Sequence, residues 1–339
     1  MRYFDLRGLL PQPDQPATVA LPVFDSIPAP SATTAPASLV HDRPTSPNLL
    51  AQLDAAANHP PDTVILSLLD GDATLRLNTA LAARNPETLL DALDHLAGRF
   101  NPQRVWILLD ATAPSNWLAP LRDAVRTRPD PRRRPRLIPL RNDYPESGPT
   151  LLLFALLKRK LKPGRFPTDV GVLLLDAPAM LTALRLARDG ASPAVVPCAL
   201  HHPESTHFVE IPAGATLTEV LAHYNLRPEH HTLRGGDLLR DQRVDGDYRI
   251  GPGHLTFYVH PPERPVNPDP CVRCGWCYEG CPTRIHPAAL LEAAQQQSLK
   301  MAAHAGLDAC IECGICAYVC PSHLPILTGI RTLRDLPTG

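Results

Sequence analysis

Eight of the nine cysteines in this 339-residue chain fall near its carboxyl end, in two copies of one pattern. Cys271, Cys274, Cys277 and Cys281 precede Pro282, and Cys310, Cys313, Cys316 and Cys320 precede Pro321, so each copy reads C-x2-C-x2-C-x3-C-P. Iron in a cubane cluster takes four soft thiolates, and cysteines at i, i+3 and i+6 wrap one face of a compact cluster without long loops. The fourth cysteine stands too far along to close the same ring easily. Gly275 and Gly314 lie between the second and third cysteines, where the backbone must pass close to inorganic sulfide and offer it N–H groups. Zinc is the competing chemistry, but a tetrahedral site leaves the third and fourth cysteines, at identical offsets in both copies, unexplained. Eight closely spaced thiols with no signal-like apolar core in residues 1–10 favour a reducing compartment over disulfides.

The pattern resembles that of two-cluster ferredoxins, in which the fourth cysteine ligates the other cluster. The resemblance implies one 4Fe-4S centre on Cys271, Cys274, Cys277 and Cys320, and a second on Cys310, Cys313, Cys316 and Cys281. Residues 287–305, rich in helix formers, predict one helix separating the two ligand loops. Its Leu290, Leu291, Ala294, Leu299 and Met301 serve equally as shields for cluster edges or as ordinary core. Trp276, Tyr278 and Tyr318 are expected to pack over the clusters.

The elements that must position this module read as an α/β class chain. Apolar runs at 63–69, 104–110, 136–140 and 170–176 predict buried strands. Between them, 86–98 predicts an amphipathic helix with Asn85 as N-cap and Leu89, Leu90, Leu93, Leu96 and Ala97 on one face. Residues 115–126 and 177–189 predict further helices, the last ending at Gly190. Residues 148–161 predict one whose Lys158, Arg159 and Lys160 suit the C-terminal dipole. Strands alternating with helices at this spacing predict a parallel α/β layer. Short strands near 208–211, 230–234 and 255–259 around a helix at 216–224 predict a small β-grasp-like domain. The expected organisation is a proline-rich arm over 1–61, the α/β domain over 62–192, the β-grasp-like domain over 193–262 and an α-helical two-cluster ferredoxin domain over 263–339. His201, His202 and His207 beside Cys198 fit no standard metal set, and predict a surface loop with a buried thiol.

Forty prolines and a formal net charge of -1 complete the picture. The basic run at 126–136 lacks aromatics and reads as a solvated loop, so nucleic acid is not expected as a partner. No stretch approaches the roughly 18 apolar residues of a membrane span. The protein is expected in the cytoplasm, soluble or peripheral on the inner face of the cell membrane.

With CVRCGWCYEGCP and CIECGICAYVCPSHLPIL at one end, and NDYPESGPTLLLFALLKRKLKPGRFPTDVGVLLLDAPAMLTAL before them, the chain over about 62–335 resembles the C subunit of the Rnf/Rsx electron-transport complex. That family is related to the flavin-bearing subunit of respiratory complex I. The resemblance implies an iron–sulfur subunit passing single electrons through two 4Fe-4S clusters, in company with other subunits of a membrane electron-transport complex and a redox protein donor or acceptor. It departs from the family where an FMN phosphate would sit. No glycine-rich GxGGAGFPT-like run precedes residue 62, and Leu68-Leu69-Asp70-Gly71-Asp72-Ala73-Thr74 replaces the N-x-x-E-x-E-P-like stretch. A shortened, flavin-poor relative is therefore expected, with no residue assigned to FMN or NAD. An NADH-oxidising FMN subunit, a cobalamin-reductase-like protein and a subunit whose clusters only brace the fold remain the alternatives.

Overall fold

The computed structural model describes residues 19–28, 49–71, 75–162, 164–190, 194–203, 205–237, 239–251, 255–262 and 266–337. Ten strands and twelve α-helices are formed among them. The strands are β1 (Phe24–Ser26), β2 (Thr63–Ser67), β3 (Arg104–Asp110), β4 (Arg136–Leu140), β5 (Val172–Asp176), β6 (Val195–His202), β7 (Ser205–Pro212), β8 (Thr232–Gly235), β9 (Gln242–Val244) and β10 (Thr256–His260). Four of them make a wholly parallel sheet in the order β4-β3-β2-β5. Its central strands are unbroken apolar runs because both faces are covered. Val64, Leu66, Leu173 and Leu175 enter one core, and Ile65, Leu108, Val172 and Leu174 enter the other.

The remaining strands make a six-stranded sheet in the order β1-β7-β6-β10-β8-β9. Here β6 and β7 form an antiparallel hairpin, and β10 returns parallel to β6 and antiparallel to β8. The helix Leu217–His223 opens on a capping box: Glu219 N–H donates to Thr216 Oγ1, and Glu219 Oε2 accepts from Thr216 N–H. This is the expected mixed β-grasp-like unit. Its core is continuous with that of the α/β layer. The C-terminal module is α-helical, so the fold is the expected α/β layer, β-grasp-like unit and ferredoxin module in chain order. Among the described residues no helix is long and apolar enough to cross a membrane.

Several local expectations are corrected. Residues 195–212 are the β6–β7 hairpin at the heart of a sheet, not a surface loop, although Cys198 is fully buried. Pro197 is tolerated in β6 because β10 pairs only from Ala199 onward, leaving the proline with β7 as sole neighbour. The expected arm contains the helix Leu49–Asn58 and β1, which pairs parallel with β7; the rest of that arm lies outside the described residues. Phe24 stacks on Phe208 at 5.4 Å between ring centroids, and Trp117 Nε1 donates to the Ala20 carbonyl at 2.8 Å, so the segment leading into this edge strand is tied to the helix Ser115–Thr127 of the α/β layer.

Asn85 occupies the N-cap of the helix Pro86–Phe100, but its side chain donates backwards to the Leu81 carbonyl and caps nothing. The helix Pro149–Leu157 stops before its basic residues. Lys158 turns left-handed at φ 58°, and Arg159 leaves to bond Asp62. The helix Leu77–Arg84 was not expected. The single helix expected over 287–305 is two, Pro287–Gln295 and Leu299–His304, because Gln297 is left-handed and Ser298 caps the second by accepting from Met301 N–H. In the basic run, Arg126 pairs with Asp123, Arg128 with Asp91 and Asp94, and Arg133 with Asp130, so three of its six arginines meet a carboxylate of the chain.

Candidate metal centre

The cysteine repeat is also a backbone repeat. An offset of 39 residues carries Cys271 to Cys310, the helix Trp276–Glu279 to Ile315–Tyr318, and Pro287–Gln295 onto the start of Ile326–Asp335. It also carries each left-handed residue of the first motif onto one of the second. Arg273 and Glu312 have φ of 55° and 51°, Gly275 and Gly314 of 82° and 76°, and Arg284 and His323 of 58° and 50°. Sequence marked only the two glycines. The other four are side-chain-bearing residues whose left-handed turns cost about 1 kcal/mol each, a cost the surrounding structure must offset.

The helices Pro287–Gln295 and Ile326–Asp335 pack against each other so closely that a Cβ on Gly329 would stand 2.8 Å from Leu291. Leu290, Leu291, Ile326, Ile330 and Leu333 build a small core that includes Cys281, Cys310 and Cys316. Ala294 and Met301 pack against it. Leu290 and Leu291 are therefore core residues in direct company with the thiols. Trp276 and Tyr318 are 55% and 45% exposed and stand outward at the module's surface, whereas Tyr278 stacks on His286 and lines the cavity of the first cysteine set, as expected of a residue packed over a cluster.

None of the nine cysteines is in a disulfide. Four of them, Cys271, Cys274, Cys277 and Cys320, line one cavity of about 310 Å3, so the last cysteine of the second motif joins the first three of the first. The Cys277 thiol is pushed up by burial, and Cys274 and Cys320 are close enough to raise it further. The other four stand close enough to one another for their charges to interact. Burial pushes the Cys313 thiol up to about 12, with Cys281 and Cys310 adding to it, and Cys316 is raised by burial and then by Cys313, Cys310 and Cys281.

Buried free thiols hold their protons, and a cationic metal would displace them. Backbone N–H groups already point at the sulfurs, and oppose burial. Ala288 and Tyr278 donate to Cys277, Ile315 to Cys313, and Ala317 to Cys316. Glu312 N–H reaches Cys310 Sγ at 3.4 Å. Four thiols around a space, each set served by N–H donors, is a donor set that fits a 4Fe-4S cluster. Among the described residues no three His, Cys, Asp or Glu side chains close on a single-ion site.

The second set is tied to the rest of the molecule. The Tyr144 hydroxyl donates to the Cys313 carbonyl, and burial raises that hydroxyl well above the usual phenol range. Arg334 donates to the Cys310 carbonyl at 2.7 Å and pairs with Glu312 at 2.8 Å. Arg331 donates to the Arg240 carbonyl at 2.9 Å, joining the module to the β-grasp-like unit. Tyr144, Cys310 and Cys313 also edge a cavity of about 810 Å3 that opens at the carboxyl ends of β2 and β5. Ligands of open α/β sheets bind at such ends. Here, however, one first-turn N–H of each helix that begins there is taken by a carboxylate of the chain, and Ala177 N–H by Asn78 Oδ1. Asp70 accepts from Asn78 N–H, and Asp176 from Ala179 N–H. The Asp237 carboxylate fills the space beside Gly71 where a Cβ would stand. These strand ends do not fit a flavin phosphate. Asp72, Ala73 and Thr74 of the replaced stretch lie outside the described residues.

His201, His202 and His207 form no common site. His201 Nδ1 bonds Thr206 Oγ1 at 2.9 Å, His207 Nε2 bonds Ser205 Oγ at 2.8 Å, and His202 meets His231 edge-on.

Residues 265–322 match the family described as a 4Fe-4S dicluster domain. No curated protein sequence matches the chain. Among solved structures it is similar to the NAD+-reducing [NiFe]-hydrogenase in the air-oxidized state, at a TM-score of 0.53 and 14% identity, covering 81% of this chain and 49% of that one. The same hydrogenase in the H2-reduced state gives a TM-score of 0.49 and 12% identity over the same shares. The chain spans about half the length of the solved chains it matches, and at these identities the likeness speaks to the fold alone.

Proposed function

We propose that this chain is an iron–sulfur electron-transfer subunit of a larger oxidoreductase, with Cys271, Cys274, Cys277 and Cys320 holding one 4Fe-4S cluster and Cys310, Cys313, Cys316 and Cys281 the other. The observation that carries the reading is the cavity lined by three thiols of the first motif and the last thiol of the second. Thiols of both motifs around one space are what cross-ligation requires, and this supports the assignment. The match of residues 265–322 to a 4Fe-4S dicluster domain supports the same reading.

When bound, such clusters supply one-electron redox chemistry. The chain's own residues set the conditions for it. N–H donors at the sulfurs stabilise thiolate and favour the more negative state, burial opposes added charge, and Arg334 places a cation beside Cys310. The α/β and β-grasp-like units act as scaffold, holding the second motif through Tyr144 and Arg331. By its resemblance to the Rnf/Rsx C subunit, the larger assembly is a membrane-associated electron-transport complex, with this chain on its cytoplasmic face. The large cavity at the sheet edge is where an NADH-oxidising, flavin-bearing reading would place its cofactor.

Anaerobic purification with iron, sulfide and flavin quantified together tests both. Iron and sulfide without flavin support the electron-transfer subunit; stoichiometric FMN bleached by NADH supports the alternative; zinc in place of iron removes both.

A further inference from the structure

The two cysteine motifs are copies in sequence and backbone but not in surroundings. The second is covered from within the chain. Tyr144 donates to the Cys313 carbonyl, the Leu239 carbonyl lies against Gly314 so closely that no Cβ would fit, and Tyr144 and Leu239 pack around Ile315 and Val319. The counterparts in the first motif, at the offset of 39, are Cys274, Gly275, Trp276 and Gly280.

That face is bare. A Cβ on Gly275 would meet no protein atom within 4 Å, and Trp276, outside the lining of the first set's cavity, is 55% exposed. Among the described residues no donor reaches the Cys274 carbonyl. Charge is inverted as well. Glu312 is held by Arg331 and Arg334, whereas its counterpart Arg273, between the two exposed thiols Cys271 and Cys274, is itself exposed and makes no ion pair among the described residues.

We propose that this face is the docking surface for the redox protein that exchanges electrons with the chain, and that the docked protein supplies from outside what the second motif receives from inside. The second motif thereby specifies the partner's chemistry. It presents an O–H or N–H donor to the Cys274 carbonyl, an apolar side chain over Gly275 and Trp276, and a carboxylate to Arg273. Exposed apolar residues beside a charge of one sign are the usual make-up of such small, transient interfaces. The inference rests on the electron-transfer reading above. One electron passes per encounter between the cluster held by Cys271, Cys274, Cys277 and Cys320 and the partner's own one-electron centre, and no bond is made or broken.

The test uses two probe proteins on the purified, cluster-loaded full chain: a small ferredoxin with an acidic surface and a cytochrome c with a basic one. Binding is measured by titration calorimetry and electron exchange by stopped flow, across ionic strength. The proposal expects faster exchange with the acidic probe at low salt, an advantage that salt removes. It expects Arg273→Glu to cut exchange and affinity for the acidic probe about tenfold and to raise them for the basic one. Trp276→Ala should weaken the acidic probe at all salt concentrations, and Arg122→Glu, on the remote helix Ser115–Thr127, should change nothing. Iron content and both paramagnetic signals are measured on every variant; should Arg273→Glu lose iron, Trp276→Ala and the salt dependence of the wild type decide the proposal. Equal rates for both probes, or variants with full iron and unchanged rates, overturn the docking surface while leaving the electron-transfer reading standing. Wild-type protein without iron takes down that reading and this one with it.

Discussion

The hydroxyl of Tyr144 donates to the main-chain carbonyl of Cys313, 169 residues further along, and joins the loop after β4 to the second ligand loop. Tyr144 is 7% exposed and packs on Ile315, so the bond is largely covered although both partners edge the large cavity. Tyr144→Phe keeps the ring and removes the donor, leaving a buried carbonyl unpaired at a cost of about 1–3 kcal/mol. Denaturant unfolding should report that loss. A donor dipole also favours the more negative state of a nearby centre. In a redox titration followed by electron paramagnetic resonance, the cluster on Cys310, Cys313, Cys316 and Cys281 should become harder to reduce while the other stays put. Equal shifts in both would contradict a local role for this hydroxyl.

Cross-ligation makes an opposite forecast for each fourth cysteine. Cys320→Ser should damage the cluster held by Cys271, Cys274 and Cys277, and Cys281→Ser the one held by Cys310, Cys313 and Cys316. Spectra of the two variants, compared with those of Cys274→Ser and Cys313→Ser, identify which cluster each has lost. If each substitution removed the cluster of its own motif, the ligand assignment would be reversed.

Two glycines should respond with opposite signs. At Gly314 the backbone is left-handed at φ 76° and a Cβ would be driven into the Leu239 carbonyl, so Gly314→Ala should cost about 3 kcal/mol or more. Gly98 lies inside the helix Pro86–Phe100 with nothing within 4 Å of an added Cβ, so Gly98→Ala should stabilise by roughly 0.5–1 kcal/mol. Thermal melts of the two variants on either side of the wild type would bear this out.

Acid should loosen the contact between β2 and the segment after the helix Pro149–Leu157. The Arg159 guanidinium, 2.6 Å from Asp62, holds that carboxyl below its usual range, with Thr63 and Arg104 assisting against partial burial. A depressed carboxylate contributes stability that is present above the unfolded pKa of about 3.9 and lost as pH falls through the lower folded value. The Asp62 side chain is 37% exposed, so solvent screens the effect to roughly 0.5 kcal/mol. Asp62→Asn should be less stable than wild type by about that much at neutral pH, and the gap should close as pH falls through the lowered folded value. A gap that persists in acid would assign the loss to packing instead.

The parallel sheet was legible because β2, β5 and the second half of β3 are fully buried and read as uninterrupted apolar runs; β3 and the partly exposed edge strand β4 were bounded to the residue. The helix Leu77–Arg84 was not, because Leu77 through Ala82 are all buried and no polar face gives it a helical period. The β6–β7 hairpin was hidden by Pro197 and by histidines that suggested a loop. In the cysteine module, identity and spacing fixed which side chains to watch. The left-handed turns at Arg273, Glu312, Arg284 and His323 were invisible, since those residue types carry no mark of the conformation the repeat imposes. The asymmetry between the two motifs was equally hidden, because it depends on Tyr144 and Leu239 arriving from elsewhere in the chain.

Iron and acid-labile sulfide per chain, measured on freshly isolated, oxygen-protected protein, test the central claim most directly. Two cubanes require about eight iron and eight sulfide per chain, with a broad visible absorption that dithionite bleaches. Colourless protein carrying zinc, or iron without sulfide, would contradict it.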